Sequence, residues 1–559
     1  MKKRILSLCL ILCFVFSVFA LVSCGNKTPD ATEPASQEGS ATATETAATT
    51  DKWNVLAPQV TMISESNRRL KIEYSVAGSD EKRSKNDIYV KGPDTILEGI
   101  TPDIQVMVFE RNKAASELLD TTIEYVEWSY GYGKLTEQLV PVVVGGAADA
   151  PDLFINMIYD LGIANLKGVF KDVWSIPNTF FDFKADGWLS DWMESLSMTG
   201  DRAYILGSDY FLDVFRALSL LPFNVTLMDE NAEKLAPAIL GEGETLGANE
   251  ELTTRFFDLV ENGNWTWDVL SKLCEAIWQD TDGNGQDSIN DVLGILADEN
   301  QGFSAGGFVY SCGEELIKEY QIEDPTSEYD GKQWIKYADD STGLNRIFDE
   351  VKAAFKGSGT LSTYASPSGN TPEKPGLAYH HTKFAQGETL FCGVCLLGGL
   401  EDQTFVDMEN LYSVVPCPKT DSTKTYNTVI YNTGDAGAIN VNAGPRKAKV
   451  LSAYIQYCTE HSLAIREQLL QIVMKYKVTI YNQGTDRMLN IIYESILYGR
   501  DKAIEDMIGT DRWHSLMKIN HFAVGSDFIA EKYTALLPSK TSKLNRDLKV
   551  WYTLPKIED

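Results

Sequence analysis

The hydrophobic and polar positions divide the chain unevenly. Ile5 to Val22 is an almost unbroken apolar run behind Lys2, Lys3 and Arg4. A basic stretch followed by such a run is the grammar of a secretory signal, and the run is only marginally long enough to span a bilayer. Residues 26–51 (NKTPDATEPASQEGSATATETAATTD) have almost nothing to bury, which predicts a disordered tether. From Trp53 onward, periods of two and of 3.6 alternate. LKIEY (70–74), DIQVMVF (103–109) and TTIEYVEW (121–128) read as strands. Arg111 to Leu119 and Lys134 to Val144 read as helices, the second punctuated by Gly145 and Gly146. PDLFI (151–155) reads as a short buried strand, and strand–helix–strand order predicts an α/β lobe around a parallel sheet. Between 180 and 380 helical spacing dominates, at Trp267 to Ile277, Asn345 to Phe355 and Lys383 to Glu388. LYSVV (411–415), TVIYN and AINV return to strand, and Lys447 to Thr459 is an amphipathic helix. No short repeat of the solenoid kind is present.

Composition adds scale. With 559 residues, 44% hydrophobic and 11% aromatic, the chain can bury more than one ordinary core, so two or three lobes are expected. Its 50 Lys+Arg against 79 Asp+Glu leave a formal charge of −29. That excess of acid excludes a nucleic-acid binder, whose affinity rests on clustered Lys and Arg, and excludes broad attraction to anionic membranes. Of nine cysteines, Cys9 and Cys13 lie in the signal and Cys24 at its end. The other six, Cys274, Cys312, Cys392, Cys395, Cys417 and Cys458, do not form a disulfide-scaffold pattern. Cys392-Gly-Val-Cys395 has the spacing of a redox pair or half a zinc site. Its apolar neighbours, Leu390, Phe391, Leu396 and Leu397, favour buried core thiols instead. His380 and His381, read as strand neighbours, would point to opposite faces and not share a metal.

Leu21-Val22-Ser23-Cys24, followed by Gly25, resembles the lipobox of bacterial lipoproteins. The resemblance implies a lipoprotein signal over 1–23 and acylation of Cys24. It implies a lipid-anchored disordered linker over 24–52 and residence on the extracellular face of the cytoplasmic membrane. Farther on, GGAADAPDLF, NGNWTWDVLSKLCEAI, DTDGNGQDSINDVLGI, FAQGETLF, LYSVVPCPKTDSTKTYNT and AINVNAGPRKAKVLSAYIQYC follow one another. Their order, from about Leu70 to Leu537, resembles the family 1 extracellular solute-binding proteins of bacterial ABC importers, some of which bind carbohydrates. That resemblance implies an α/β, two-lobe, periplasmic-binding-protein-like (type II) fold with the ligand cleft between the lobes. By analogy lobe one is 54–180 plus 422–470, and lobe two is 181–421 plus 471–559. The expected partners are a small-molecule solute, a sugar, and an ABC permease. The membrane is reached through the lipid anchor only.

Asp280, Asp282 and Asn284 stand at positions 1, 3 and 5 of a calcium-loop pattern. Gly285 supplies the turn, Gln286 a backbone carbonyl, and Asp291 stands at position 12, where a Glu is usual. A structural Ca2+ is expected there, the competing reading being an acidic turn that binds nothing. Pockets for sugars pair flat aromatic faces with a few polar groups. Candidates are Trp128 and Tyr132 after a strand end, Asn156, Tyr159 and Asp160 after the PDL strand, Trp188 and Trp192, Asn224, and Trp513. Packing is the commoner role for any one of them. Trp265 and Trp267 flank Thr266, a helix cap, and are read as structural. The absence of an aromatic in Cys392–Leu397, where some sugar-binding relatives carry a Trp, weighs against an oligosaccharide. HExxH is absent, and no catalytic residue is expected. The alternatives are a secreted surface hydrolase acting on glycans with a carboxylate pair, and a non-transport adhesin or sensor on the same fold.

Overall fold

The computed structural model describes residues 44–77, 87–98, 102–130, 133–248, 250–298, 302–313, 317–355, 357–363, 379–472, 482–496, 507 and 526–555. The signal segment, Cys24, Tyr132 and Trp513 lie outside the described residues. Among those residues no helix is long and apolar enough to cross a membrane. A helix spans Thr44–Thr61, so the end of the stretch expected to be a tether is ordered. Its alanines carry high helix propensity, which the low hydrophobicity of the segment concealed.

In chain order the strands are β1 (Arg69–Ala77), β2 (Thr122–Tyr130), β3 (Leu153–Met157), β4 (Ser219–Asn224), β5 (Leu293–Asp298) and β6 (Ile317–Gln321). They continue with β7 (Gln333–Tyr337), β8 (Thr360–Thr363), β9 (Thr389–Phe391), β10 (Cys395–Leu396), β11 (Tyr412–Val415) and β12 (Asp435–Ile439). The first sheet has the order β12-β3-β1-β2. β1 runs parallel to β2, with Arg69 opposite Thr122, and parallel to β3, while β12 is antiparallel to β3. β3 and β12 are buried along their whole length, which is why PDLFI reads as an apolar run rather than as alternation, although β12 opens on Asp435. The second sheet has the order β10-β4-β9-β5-β8, and β11 also pairs with β4. β6 and β7 form a separate hairpin.

Residues 103–109 are helical, not a strand: one helix spans Asp103–Leu119. Its buried positions, Ile104, Val108, Arg111, Asn112, Ala115 and Leu119, repeat every three or four residues. Within a seven-residue window, Ile104, Val106 and Val108 satisfy a period of two equally well, so only the longer window separates the readings. The helix Tyr379–Ala385 likewise starts before the predicted Lys383, and places His380 and His381 on a helix rather than a strand.

The chain passes between the two sheets side by side. Ser219 N–H donates to the Val429 carbonyl at 2.9 Å, and Tyr431 N–H to the Ala217 carbonyl at 2.8 Å, with Leu218 bridged to Ile430. Residues 181–217, assigned to lobe two by analogy, pack on the first sheet. Val173 N–H donates to the Ala203 carbonyl at 2.7 Å, Leu206 pairs with Gly437 of β12, and the Arg466 guanidinium holds both Asp209 oxygens at 2.8 and 3.0 Å. The outgoing crossing therefore lies near Ala217–Ser219. A cluster of Phe223, Phe256, Trp265 and Phe391 forms the heart of the second lobe, with ring centroids of neighbours 5.1 to 6.3 Å apart. Thr266 caps the helix Trp267–Ile277 through Val269 N–H at 3.4 Å, and the Trp265 indole donates to the Pro416 carbonyl at 2.9 Å. The paired tryptophans are structural, as their flanking of a cap implied. The C-terminal helix Ser526–Thr553 spans both bodies. Trp334 stacks on Tyr552 at 5.7 Å, and the Trp551 indole donates to Thr199 at 2.8 Å.

Candidate functional site

The carboxyl ends of parallel strands are where an open α/β sheet binds its ligands. In the first lobe acids gather within β1 and opposite the carboxyl end of β3. Glu73 on β1 is fully buried, and one of its oxygens accepts a hydrogen bond from the Asn156 amide on β3 at 2.5 Å. Its other oxygen, Oε1, is buried with no hydrogen-bond partner among the described residues. Burial drives the Glu73 carboxyl well above the usual carboxylate range, opposed only by the Asn156 bond. Asp435, at the start of β12, is also pushed well up, first by burial and then by the nearby charges of Asp213 and Glu73, with Arg216 pulling the other way. Asp160 accepts from Gly133 N–H and Leu135 N–H, both at 3.3 Å, and so ties the segment after β3 to the start of the helix Leu135–Val144.

One cation answers this group and reaches the second lobe. Arg216, at the end of the helix Asp213–Arg216, pairs with Asp213 one turn earlier. Its Nε lies 3.2 Å from Glu401 Oε1, in the 3₁₀ turn Leu397–Glu401 that follows β10. The Tyr89 hydroxyl donates to the same Glu401 oxygen at 3.3 Å, and the Tyr89 ring lies 5.3 Å from the guanidinium carbon. Asp213 also accepts from Asp435 N–H at 3.2 Å. A continuous network thus runs from β12 through Asp213 and Arg216 to Glu401, crossing between the lobes beside the chain crossing. Arg216, Asp213 and Glu401 are only 11%, 13% and 12% exposed at their side chains, so these charges interact with little screening by solvent.

The residues expected from sequence separate into two groups. Asn156, Tyr159 and Asp160 are brought together at the end of β3, beside Glu73 and Asp435. The Tyr159 ring packs 3.3 Å from where a Cβ on Gly133 would stand, a glycine held at φ 76°. Trp128 is half-buried against Phe154, ring centroids 5.8 Å apart. The others lie elsewhere. Trp188 donates to Gln456 at 3.0 Å and meets Phe181 and Phe183 edge-on, all within the first lobe. Trp192 covers Gly207 so closely that a Cβ there would sit 2.4 Å from the indole. Asn224 caps the helix Val225–Glu230 by accepting Leu227 N–H at 2.8 Å in the second lobe. Tyr89, Asp213, Arg216, Glu401 and Asp435 carried no signal, because none belongs to a motif and their sequence separations are large.

The predicted calcium loop joins the helix Trp267–Ile277 to β5. Carboxylate oxygens of Asp280, Asp282 and Asp291 all lie within 4.8 Å of one another. Asp280 accepts Gly283 N–H at 2.7 Å and Gly285 N–H at 2.8 Å, and Asn284 accepts Gln286 N–H at 2.7 Å. Asp291 is buried and closes the loop by accepting Thr281 N–H and Ser288 N–H, both at 2.8 Å. Gly283 and Gly285, at φ 72° and 71°, allow the chain to wrap around these oxygens. Hard oxygen donors converging from one short loop fit Ca2+.

Solved structures similar to this chain include the cyclic α-maltosyl-1,6-maltose binding protein of Arthrobacter globiformis, at 10% identity and TM-score 0.45, covering 86% of this chain and 99% of that one. The GacH receptor of Streptomyces glaucescens GLA.O, solved unliganded and with acarbose, is similar at 12% identity and TM-score 0.44, covering 84% and 98%. A family 1 extracellular solute-binding protein from Bifidobacterium longum subsp. infantis is similar at 13% identity and TM-score 0.44, covering 87% and 99%. No protein-family model and no curated protein matches the sequence.

Proposed function

We propose that the chain is a lipid-anchored extracellular solute-binding receptor that closes on a carbohydrate and delivers it to an ABC import permease. The observation that carries this reading is the junction itself. Two α/β bodies joined by antiparallel crossing segments meet through a polar network, Tyr89–Glu401–Arg216–Asp213, whose Asp213 accepts from Asp435, opposite the carboxyl end of β3. Such a hinge converts ligand contact with both lobes into a closed shape that a permease can read. The half-buried Trp128 ring suits the C–H face of a sugar. Lipidation at Cys24 would keep the receptor beside the membrane. Asp280, Asp282, Asn284, Gln286 and Asp291 would hold one structural Ca2+, whose charge offsets the mutual repulsion of the three aspartates.

The receptor binds and releases its ligand unchanged. A thermal-shift screen of the chain without residues 1–23, against mono- and oligosaccharides, peptides and amino acids, tests this. A ligand at a hundredfold over its Kd adds about 2.7 kcal/mol of stability. A selective sugar shift with the sugar recovered intact is expected, and hydrolysis of any glycan in the panel would overturn the reading.

A further inference from the structure

Apolar neighbours in sequence set Cys392 and Cys395 aside as core thiols, and strand geometry set His380 and His381 aside as a metal-binding pair. The fold brings them together. The helix Tyr379–Ala385 begins over the turn between β9 and β10, and one donor atom from each of the four residues lies within 4.8 Å of every other. The two sulfurs are 3.7 Å apart, Cys395 Sγ is 3.2 Å from His381 Nε2, and the imidazole centroids are 4.1 Å apart. His380, Cys392 and Cys395 are buried, and His381 is half-buried.

These distances have a geometric meaning. A tetrahedral zinc with bonds of about 2.3 Å to sulfur and about 2.0–2.1 Å to nitrogen has S···S edges of about 3.8 Å and S···N edges of about 3.5 Å. A disulfide would need about 2.05 Å between the sulfurs. The turn is built to present both thiols on one side. Gly393 has φ 74°, and a Cβ there would meet the Leu296 carbonyl at 2.9 Å, so only glycine fits. Around the cluster stands an aromatic shell. The His381 ring meets Phe405 edge-on at 4.9 Å, and Phe405 packs on Phe384 and Tyr412 at 6.0 and 5.7 Å. Such a shell excludes water and fixes the orientation of the donors.

We propose that His380, His381, Cys392 and Cys395 form a closed Cys2His2 site that holds one structural zinc ion and pins the helix Tyr379–Ala385 to the second sheet. Two soft sulfurs and two imidazoles in a tetrahedral arrangement select zinc over the hard cations that suit the aspartate loop. Binding releases the two thiol protons to solvent, and the resulting pair of thiolates neutralises the ion, so the buried site carries no net charge.

The test uses the chain without residues 1–23, purified in the absence of chelators and reductants, with zinc as the probe. Elemental analysis should find one equivalent of zinc per chain. Exchange of that zinc for cobalt should give the sulfur-to-metal charge-transfer band and intense visible bands of a tetrahedral thiolate site. A Cys395→Ala, His381→Ala double variant should lose the zinc, and Cys458→Ala, a buried thiol of the first lobe, should keep it. Because the double variant could also fail to fold, the wild-type chain stripped by a chelator supplies a second readout: zinc but not calcium should restore its Tm. Zinc-free protein with all seven thiols, Cys24 included, alkylatable after unfolding would overturn the proposal. So would a Cys392–Cys395 disulfide in a non-reducing peptide map, or zinc retained by a folded double variant.

Discussion

Replacing Arg216 with Ala removes a guanidinium that connects the acids of the first lobe to Glu401 of the second. In the wild type this side chain, 11% exposed, pairs with Asp213 and with Glu401 at 3.2 Å, and lies against Tyr89. Its loss strands Asp213, Glu401 and the already perturbed Asp435 in a poorly solvated junction. Removing one partner of a buried ion pair costs about 3–5 kcal/mol. At about 2.1 cal/mol/K per residue, a folded body of roughly 500 residues has an unfolding entropy near 1 kcal/mol/K, so Tm should fall by about 3–5 °C. The sign of the pH dependence follows from the stranded acids. Without the cation the raised Asp435 carboxyl loses the Arg216 charge that pulls it down, and a raised carboxyl favours the fold at low pH and loses that advantage as pH rises. The deficit of Arg216→Ala should therefore be larger at pH 7.5 than at pH 5. Glu401→Gln, which keeps an acceptor for Arg216 and Tyr89, should cost less at either pH. Calorimetry of the three proteins at both pH values reads all of this. An Arg216→Ala variant as stable as the wild type at pH 7.5, or a deficit that does not change with pH, would refute the assignment of this network as the electrostatic link between the lobes.

Other consequences are open to the same methods. Burial pushes the Asp209 carboxyl up to about 6 from 3.8, against the pull of Arg466. A raised carboxyl contributes stability that is full below about pH 4 and lost as pH rises through about 6, here about 3 kcal/mol, so the Tm difference between wild type and Asp209→Asn should change across that window. Calcium at a hundredfold over its Kd should stabilise the chain by about 2.7 kcal/mol, and Asp282→Ala and Asp291→Ala should each abolish the response to added calcium in a thermal-shift assay. A Cβ on Gly437 would stand 2.3 Å from the Phe211 ring. Gly437→Ala should therefore cost about 1–3 kcal/mol by overpacking, with partial recovery in Gly437→Ala, Phe211→Leu by denaturant titration.

What could be read from sequence depended on how local the signal was. β3 and β11 were legible because continuous apolar runs bounded by Pro and polar residues leave few alternatives, and the cap at Thr266 was legible because its geometry is fixed by neighbours in sequence. The convergence of Asp280, Asp282 and Asp291 was legible as spacing for the same reason. Asp103–Leu119 was misread at its start because two periodicities coincide over seven residues. The 181–217 segment was assigned to the wrong body because its pairing, Leu206 with Gly437, spans more than two hundred residues. Aromatic type alone selected Trp188 and Trp192, whose partners Gln456 and Gly207 commit them to packing, and Asn224, chosen by the resemblance, is committed to capping by Leu227 N–H. The junction was invisible for a different reason. Glu73, Tyr89, Arg216, Glu401 and Asp435 are single residues from separate elements, and only the sheet order and the crossing bring them together. His380 and His381 were set aside by a strand rule that does not apply on a helix.

The most direct test of the account is small-angle scattering of the chain without residues 1–23, alone and saturated with whichever sugar gives the selective thermal shift. The radius of gyration should fall with the sugar bound, as the two lobes close about the Ala217–Ser219 crossing, and Arg216→Ala should weaken this change. Tight sugar binding with no change in radius would contradict closure of the lobes on a ligand between them.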